Sequence, residues 1–221
     1  MKKQLNLFYP QWQGGGPDRS TYFGALELKL NYLKNLELTT VEVSLKNIKT
    51  VKNDIFGYDE IIAQMKTARA IIDDNQPDRI FTIGGGCDAG ILPLSYLNHK
   101  LNGDLTVLWF DAHGDINSPL TSKSKHFYGM PVRALLGESD RRILDLTYLN
   151  LLPQQLLMLG LRDLDEAEAK YIKKENISAL GVAEIEKNLE TVITSVKAKR
   201  NSSIYIHLDL DVLDPEEFPY T

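Results

Sequence analysis

The chain has 221 residues and a formal net charge of −5, with 43% hydrophobic and 25% charged residues. That length supports one domain or at most two small ones, and an acidic balance without a basic stretch excludes a dedicated nucleic-acid binder. The lone cysteine, Cys87, excludes an internal disulfide framework, and no apolar run is long enough to cross a bilayer.

The opening MKKQLNLFYPQWQ has no sustained apolar region or small-residue cleavage site and is not read as a signal peptide. The expectation is a cytoplasmic protein with neither nucleic acid nor membrane among its partners. In chain order, β-rich runs fall at 4–9 (QLNLFY), 39–44 (TTVEVS), 79–84 (RIFTIG), 105–110 (LTVLWF), 156–161 (LLMLGL) and 203–210 (SIYIHLDL), with a weaker one at 177–182. Helical patterns fill 20–36, 58–73, 164–175 and 185–199. In 58–73, Ile61, Ile62, Met65, Ala68 and Ile72 recur at helical spacing. The alternation predicts a single α/β domain over residues 1–221, with a mostly parallel sheet covered on both faces. Such sheets bind ligands beyond the carboxyl ends of their strands. The polar residues that follow each strand are therefore the candidates for function.

Three strand ends stand out. The first, TIGGGCDAG (82–90), has adjacent glycines that permit tight turns and close backbone approach. It reads either as a phosphate-cradling loop or as a turn with a buried cysteine, and it lacks both Gly-x-Gly-x-x-Gly and Gly-Lys-Ser/Thr. The second is VLWFDAHGDIN (107–117), where Asp111, His113 and Asp115 alternate. They share one face if extended geometry persists. Two converging carboxylates repel each other, and a divalent cation removes that penalty. The third is SIYIHLDLDVLDP (203–215), where Asp209 and Asp211 alternate before the turn at Asp214-Pro215. An oxygen-rich set with one imidazole favours Mn²⁺ or Mg²⁺ over thiolate-selecting metals. Four carboxylates carry about four negative charges, which two divalent cations balance, and the usual work of such a pair is to make a hydroxide nucleophile.

Asp-Ala-His-Gly-Asp-Ile-Asn and Asp-Leu-Asp-Val-Leu-Asp-Pro resemble the two central signatures of the arginase/agmatinase/formiminoglutamase (ureohydrolase) family. GLRDLDEAE (160–168) resembles its Gly-Leu-Arg-Asp-x-Asp segment, GMPVRALLG (129–137) the stretch after its catalytic histidine, and TIGGGCDAG stands in place of its Gly-Gly-Asp-His motif. The resemblance runs in order from about residue 80 to the end. It implies a three-layer α/β/α fold and hydrolysis of a guanidino or amidino C–N bond at a binuclear manganese centre, with two Mn²⁺ per chain. Carried over, Asp111 and Asp209 bridge the metals, His113 and Asp211 complete one, and Asp115 and Cys87 complete the other. Asp115 is counted among the catalytic groups as well. A hydroxide between the metals would attack the guanidinium carbon. Asp165, with Asp163 before it, falls where the substrate's α-amino end is held. The implied partners are a small guanidino or amidino substrate and further copies of the chain in a homo-oligomer.

The sequence departs from that pattern at three places. Cys87 stands where the family has a metal-binding histidine, which predicts one strong and one weak metal position, the weak one better suited to zinc, iron or cobalt. Tyr128 stands at the proton-shuttle histidine, leaving His126, two residues earlier, as the candidate for that role or as a plain loop residue. The resemblance also implies a further strand, a helix and a substrate-contacting glutamate after the second signature. The chain is therefore expected to be C-terminally shortened, with a groove of unpaired backbone in the sheet. A catalytically impaired or regulatory relative, with one metal or none, is the alternative. A metallophosphoesterase also shares Asp-x-His, but its later Asn-His pair is absent: the only such step, Asn98-His99, precedes the site.

Overall fold

The long strands all run parallel, and the reason is visible in their side chains. The computed structural model describes residues 2–219. Its elements are, in order, β1 (Gln4–Tyr9), α1 (Ser20–Glu27), β2 (Thr39–Thr40), β3 (Val51–Lys52), β4 (Ile55–Phe56), α2 (Tyr58–Asn75), β5 (Arg79–Gly84), α3 (Ile91–Lys100), β6 (Leu105–Phe110), α4 (Pro131–Leu135), α5 (Arg141–Leu144), β7 (Leu156–Leu161), α6 (Glu166–Lys174), β8 (Ser178–Gly181), α7 (Val182–Lys187), α8 (Leu189–Lys199) and β9 (Ser203–Leu208). Strands β6 and β7 are apolar on both faces and almost fully buried, as a sheet covered on both sides requires.

Two parallel sheets result, in the orders β2-β1-β5 and β8-β7-β6-β9. β3 and β4 form a separate antiparallel hairpin. On one side, β1, β6 and β7 pack Leu7, Val107, Trp109 and Met158 into a core shared with Ile61 and Met65 of α2, Leu94 of α3 and Ile172 of α6. That core spans both sheets. On the other side, α1 covers Phe8 and Ile83, while α7 and α8 cover Leu108, Leu157 and Leu159. Helices therefore lie on both faces, giving the three-layer α/β/α arrangement. Full burial of such side chains stabilises by roughly 1.5–3 kcal/mol each. Among the described residues, β5 pairs only with β1 and β9 only with β6, so each has one open edge. On β9, Ile204, Ile206 and Leu208 are exposed. No helix of the described residues is long and apolar enough to cross a membrane.

Several elements differ from the pattern read in the sequence. The run at 39–44 pairs with β1 only through Thr39 and Thr40, and the last bond to that strand runs from Val41 N to Phe8 O. The helix at 20–36 stops being α-helical at Glu27 and ends in a wider turn over Leu28–Tyr32. The helix at 185–199 is two helices, because Asn188 takes an extended conformation and its side chain accepts from Glu190 N to start α8. The strand at 203–210 ends at Leu208, and Leu210–Val212 coils into a single 3₁₀ turn.

Candidate metal centre

Three strand ends deliver the acids and their partners to one place. β5 leads into a short turn carrying Cys87, β6 into Asp111, His113 and Asp115, and β9 into Asp209 and Asp211. Extended geometry does not continue past Phe110: Asp115 has φ +50°, the left-handed region that a side chain with a Cβ adopts only under constraint. What holds the loop is a set of backbone bonds. His113 N donates to Asp111 Oδ1 at 2.7 Å, and Ala112 N donates to Asp211 Oδ1 at 3.0 Å. The turn after β9 is held the same way. Asp211 N donates to Asp209 Oδ1 at 3.0 Å, and the Arg162 guanidinium donates to the backbone carbonyls of Asp211, Val212 and Leu213. Gly160, at φ +95°, lets β7 approach this turn, since a Cβ there would run into Val212 Cγ2.

Two donor groups follow from this arrangement. In one, Asp111, His113 and Asp211 present donor atoms within 4.8 Å of one another, and in the other Cys87, Asp111, Asp115 and His207 do the same. Asp111 belongs to both and is buried. Asp209 abuts the second group through the cysteine, with Oδ2 2.7 Å from Cys87 Sγ. His113 Nδ1 lies 2.8 Å from Asp211 Oδ2.

The electrostatics are those of crowded acids. Burial, then the charges of Asp111 and Asp209, hold the Asp115 carboxyl well above the usual carboxylate range. Burial and the neighbouring Asp111 and Asp211 raise Asp209 as well. Burial comes first for Cys87 too, and three aspartates add to it, so the thiol keeps its proton. His113 goes the other way: the Asp111 carboxylate, 3.6 Å from the ring, and then the hydrogen bond to Asp211 push its pKa up to about 10. Burial opposes ionisation of Asp211, but the hydrogen bonds from His113 and Ala112 outweigh it and its pKa falls. Asp115 Oδ2 and His207 Nε2 are buried without a hydrogen-bond partner. Orphaned acceptors among repelling carboxylates fit a divalent cation, which would satisfy the lone pairs and cancel the repulsion.

The other candidates are placed less centrally. Asp163 is exposed, with Oδ2 3.8 Å from His113 Nε2 at the rim. Asp165 caps α6, accepting from Glu168 N, and also accepts from Asn117 Nδ2 at 2.8 Å. His126 packs edge-on against Phe56 and Tyr128, and burial alone lowers its pKa, with no contribution from the acids. Tyr128 does feel them: burial and then Asp115, Cys87 and Asp209 raise its pKa. Nothing in the sequence pattern marks His207 and Trp109, because both lie inside a strand rather than after it. Yet Trp109 Nε1 donates to Asp111 Oδ2 at 3.2 Å, and the two rings stack at 3.6 Å.

Residues 17–221 match the sequence model of the arginase family. The chain belongs to the arginase family. That membership supports the coarse expectation of a hydrolase. Among its relatives in the family, the arginase of Staphylococcus aureus (strain MRSA252) is 31% identical over 221 residues, covering 93% of this chain and 72% of that protein. The arginase of Glaciozyma antarctica is 28% identical, covering 95% of this chain and 68% of that one. Solved family structures share the fold. The Entamoeba histolytica arginase superposes with a TM-score of 0.83 at 21% identity, over 98% of this chain and 78% of that one. The Bacillus caldovelox arginase gives 0.78 at 22%, over 99% and 79%.

Proposed function

We propose that this chain hydrolyses a guanidino or related amidino carbon–nitrogen bond with divalent cations held among Asp111, His113, Asp211, Cys87, Asp115 and Asp209. The observation that carries the reading is the sharing of Asp111 between the two donor groups. One carboxylate with two oxygens is suited to serve two ions at once. Mn²⁺ suits the nitrogen and oxygen donors on the His113 side, while the sulfur of Cys87 makes the other side a poorer manganese site. Cations bound there would supply the positive charge that lowers the pKa of water to give hydroxide near neutral pH and would hold the oxygen being added to the reacting carbon.

The side chains themselves recruit and orient the substrate. With the charges of Asp111, Asp115, Asp209 and Asp211 balanced by the cations, the acids outside the ligand set, Asp163 and Asp165, supply the negative charge that attracts a planar guanidinium cation. Asp163, at the rim beside His113, is placed to accept from its far end. Asp165 has one hydrogen bond on each carboxylate oxygen, which leaves lone pairs for a substrate ammonium. Arginases are the named relatives, and the Entamoeba histolytica structure holds L-ornithine, an amino acid with such an ammonium.

The test is metal analysis of the purified protein followed by urea and ammonia release from a panel of guanidino and amidino compounds. Metal-dependent release from at least one compound is expected. No bound metal after incubation with manganese, zinc or cobalt would sink the reading. A family relative with little turnover is the second reading, and one observation favours it: the acids raise the pKa of Tyr128 on this loop, whereas burial is the cause of the shift at His126. Stoichiometric metal without release from any compound would point there.

A further inference from the structure

His207 is the unassigned member of the second donor group. It sits on β9 directly across from Trp109 of β6, and the indole lies flat on the imidazole, 3.6 Å between centroids and 7° from parallel. The same indole fixes Asp111 by donating to Oδ2. Ring and carboxylate are thus set by one residue. His207 Nε2 ends 3.9 Å from Asp111 Oδ2, too far for a hydrogen bond, and it is buried without any partner. Cys87 Sγ lies at the same 3.9 Å from the same oxygen. Donors that share one ion at bond lengths of about 2.0–2.3 Å stand roughly 3–4 Å apart. The fourth member, Asp115, likewise ends in an orphaned buried oxygen, Oδ2.

We propose that His207 is a metal ligand, completing with Cys87, Asp111 and Asp115 a sulfur, nitrogen and oxygen set for a borderline cation such as zinc, cobalt or ferrous iron. The inference rests on the metal-centre reading above and extends it. An imidazole is missing from the turn after β5, where Cys87 stands, and β9 brings one to the same place from the neighbouring sheet. Cys87 and His207 together change the metal preference of this side without emptying it.

The test uses cobalt(II) added to chelator-treated full-length protein. A cobalt–thiolate bond gives a near-ultraviolet charge-transfer band that reports Cys87, and the visible bands report the number of ligands. In His207→Gln the band is expected to form with about tenfold weaker affinity or worse, and with altered visible bands, while metal-free melting stays as in the parent. As a measurement that needs no variant, protein carrying ¹⁵N-histidine is titrated with ¹¹³Cd²⁺. The chain has four histidines, and His207 is expected to show a one-bond cadmium–nitrogen coupling. An unchanged cobalt titration in His207→Gln, with the band lost in Cys87→Ser, overturns the His207 assignment and leaves the centre standing. Absence of cadmium coupling at His207 in protein that binds cadmium overturns it equally, even if the variant does not fold. If neither metal binds the parent protein, the centre itself fails and the proposed function goes with it.

Discussion

Cys87 and Asp209 meet with Sγ 2.7 Å from Oδ2, although β5 and β9, which lead to them, belong to different sheets. The contact is a thiol donating to a carboxylate, held protonated by burial and by three surrounding aspartates. A cation at this position must displace that proton, and a hard ion gains little from the soft sulfur left behind.

Cys87→His is therefore expected to raise manganese affinity on this side by about tenfold or more and to narrow the preference for zinc. Calorimetric titration of both proteins with both metals measures it. Equal manganese affinities would show that position 87 takes no part in binding.

Metal uptake on the His113 side has a definite pH dependence. In the metal-free protein the pKa of His113 is about 10, so at pH 8 the ring carries a proton. A cation between Asp111, His113 and Asp211 must expel it. At least one proton per ion is expected to be released at pH 8, with affinity rising as pH approaches 10. Calorimetry in buffers of different ionisation enthalpy counts the protons. The stability contribution of this ring has the matching sign: it is complete below the unfolded value near 6.5 and fades as pH rises through about 10.

Asp88 is buried with both carboxylate oxygens unpartnered, and burial pushes its pKa up to about 7. The folded chain binds a proton there more tightly than the unfolded chain does. Its stability should fall as pH rises from about 4 to about 7. Asp88→Asn is expected to flatten that slope and to add on the order of 3 kcal/mol at pH 8. Urea unfolding of the metal-free protein across this range decides it, and an unchanged slope would show that the carboxyl finds water.

The acids raise the pKa of Tyr128, while His126 packs edge-on against Phe56. His126→Ala is expected to change the turnover of any active substrate by less than about twofold, and Tyr128→His to raise it by about tenfold or more, since a positioned histidine transfers protons near neutral pH. Steady-state kinetics on both variants measures this. A large loss in His126→Ala would return that residue to the proton-transfer role.

Gly160→Ala should destabilise the chain by about 2–4 kcal/mol, combining an unfavourable φ with a clash against the turn that carries Asp211. Metal affinity should fall with it. Denaturant midpoints and a zinc titration on one preparation test both effects together.

Much of the scaffold can be read from local pattern. β6 and β7 are uninterrupted apolar runs, and α2 shows its buried stripe at helical spacing. α3 hides because it is buried on nearly every side, so ILPLSYLNHK has no contrast between faces to detect. Of the site, the acids were visible because ionisable groups at a strand end are conspicuous. Their geometry was not, because Asp115 turns left-handed where alternation predicts a straight run. His207 escaped for another reason. A histidine inside a strand is unremarked until its neighbour across the ladder, 98 positions earlier in Trp109, is known.

The open edges of β5 and β9 give the centre a second consequence. Cys87 follows one strand and Asp209 and Asp211 the other, so an ion gripped by both would act as a rivet between strands that, among the described residues, belong to different sheets. Loading the protein should slow amide exchange along both edge strands in step. An ion held there would then add to the stability of the fold as well as serve the site.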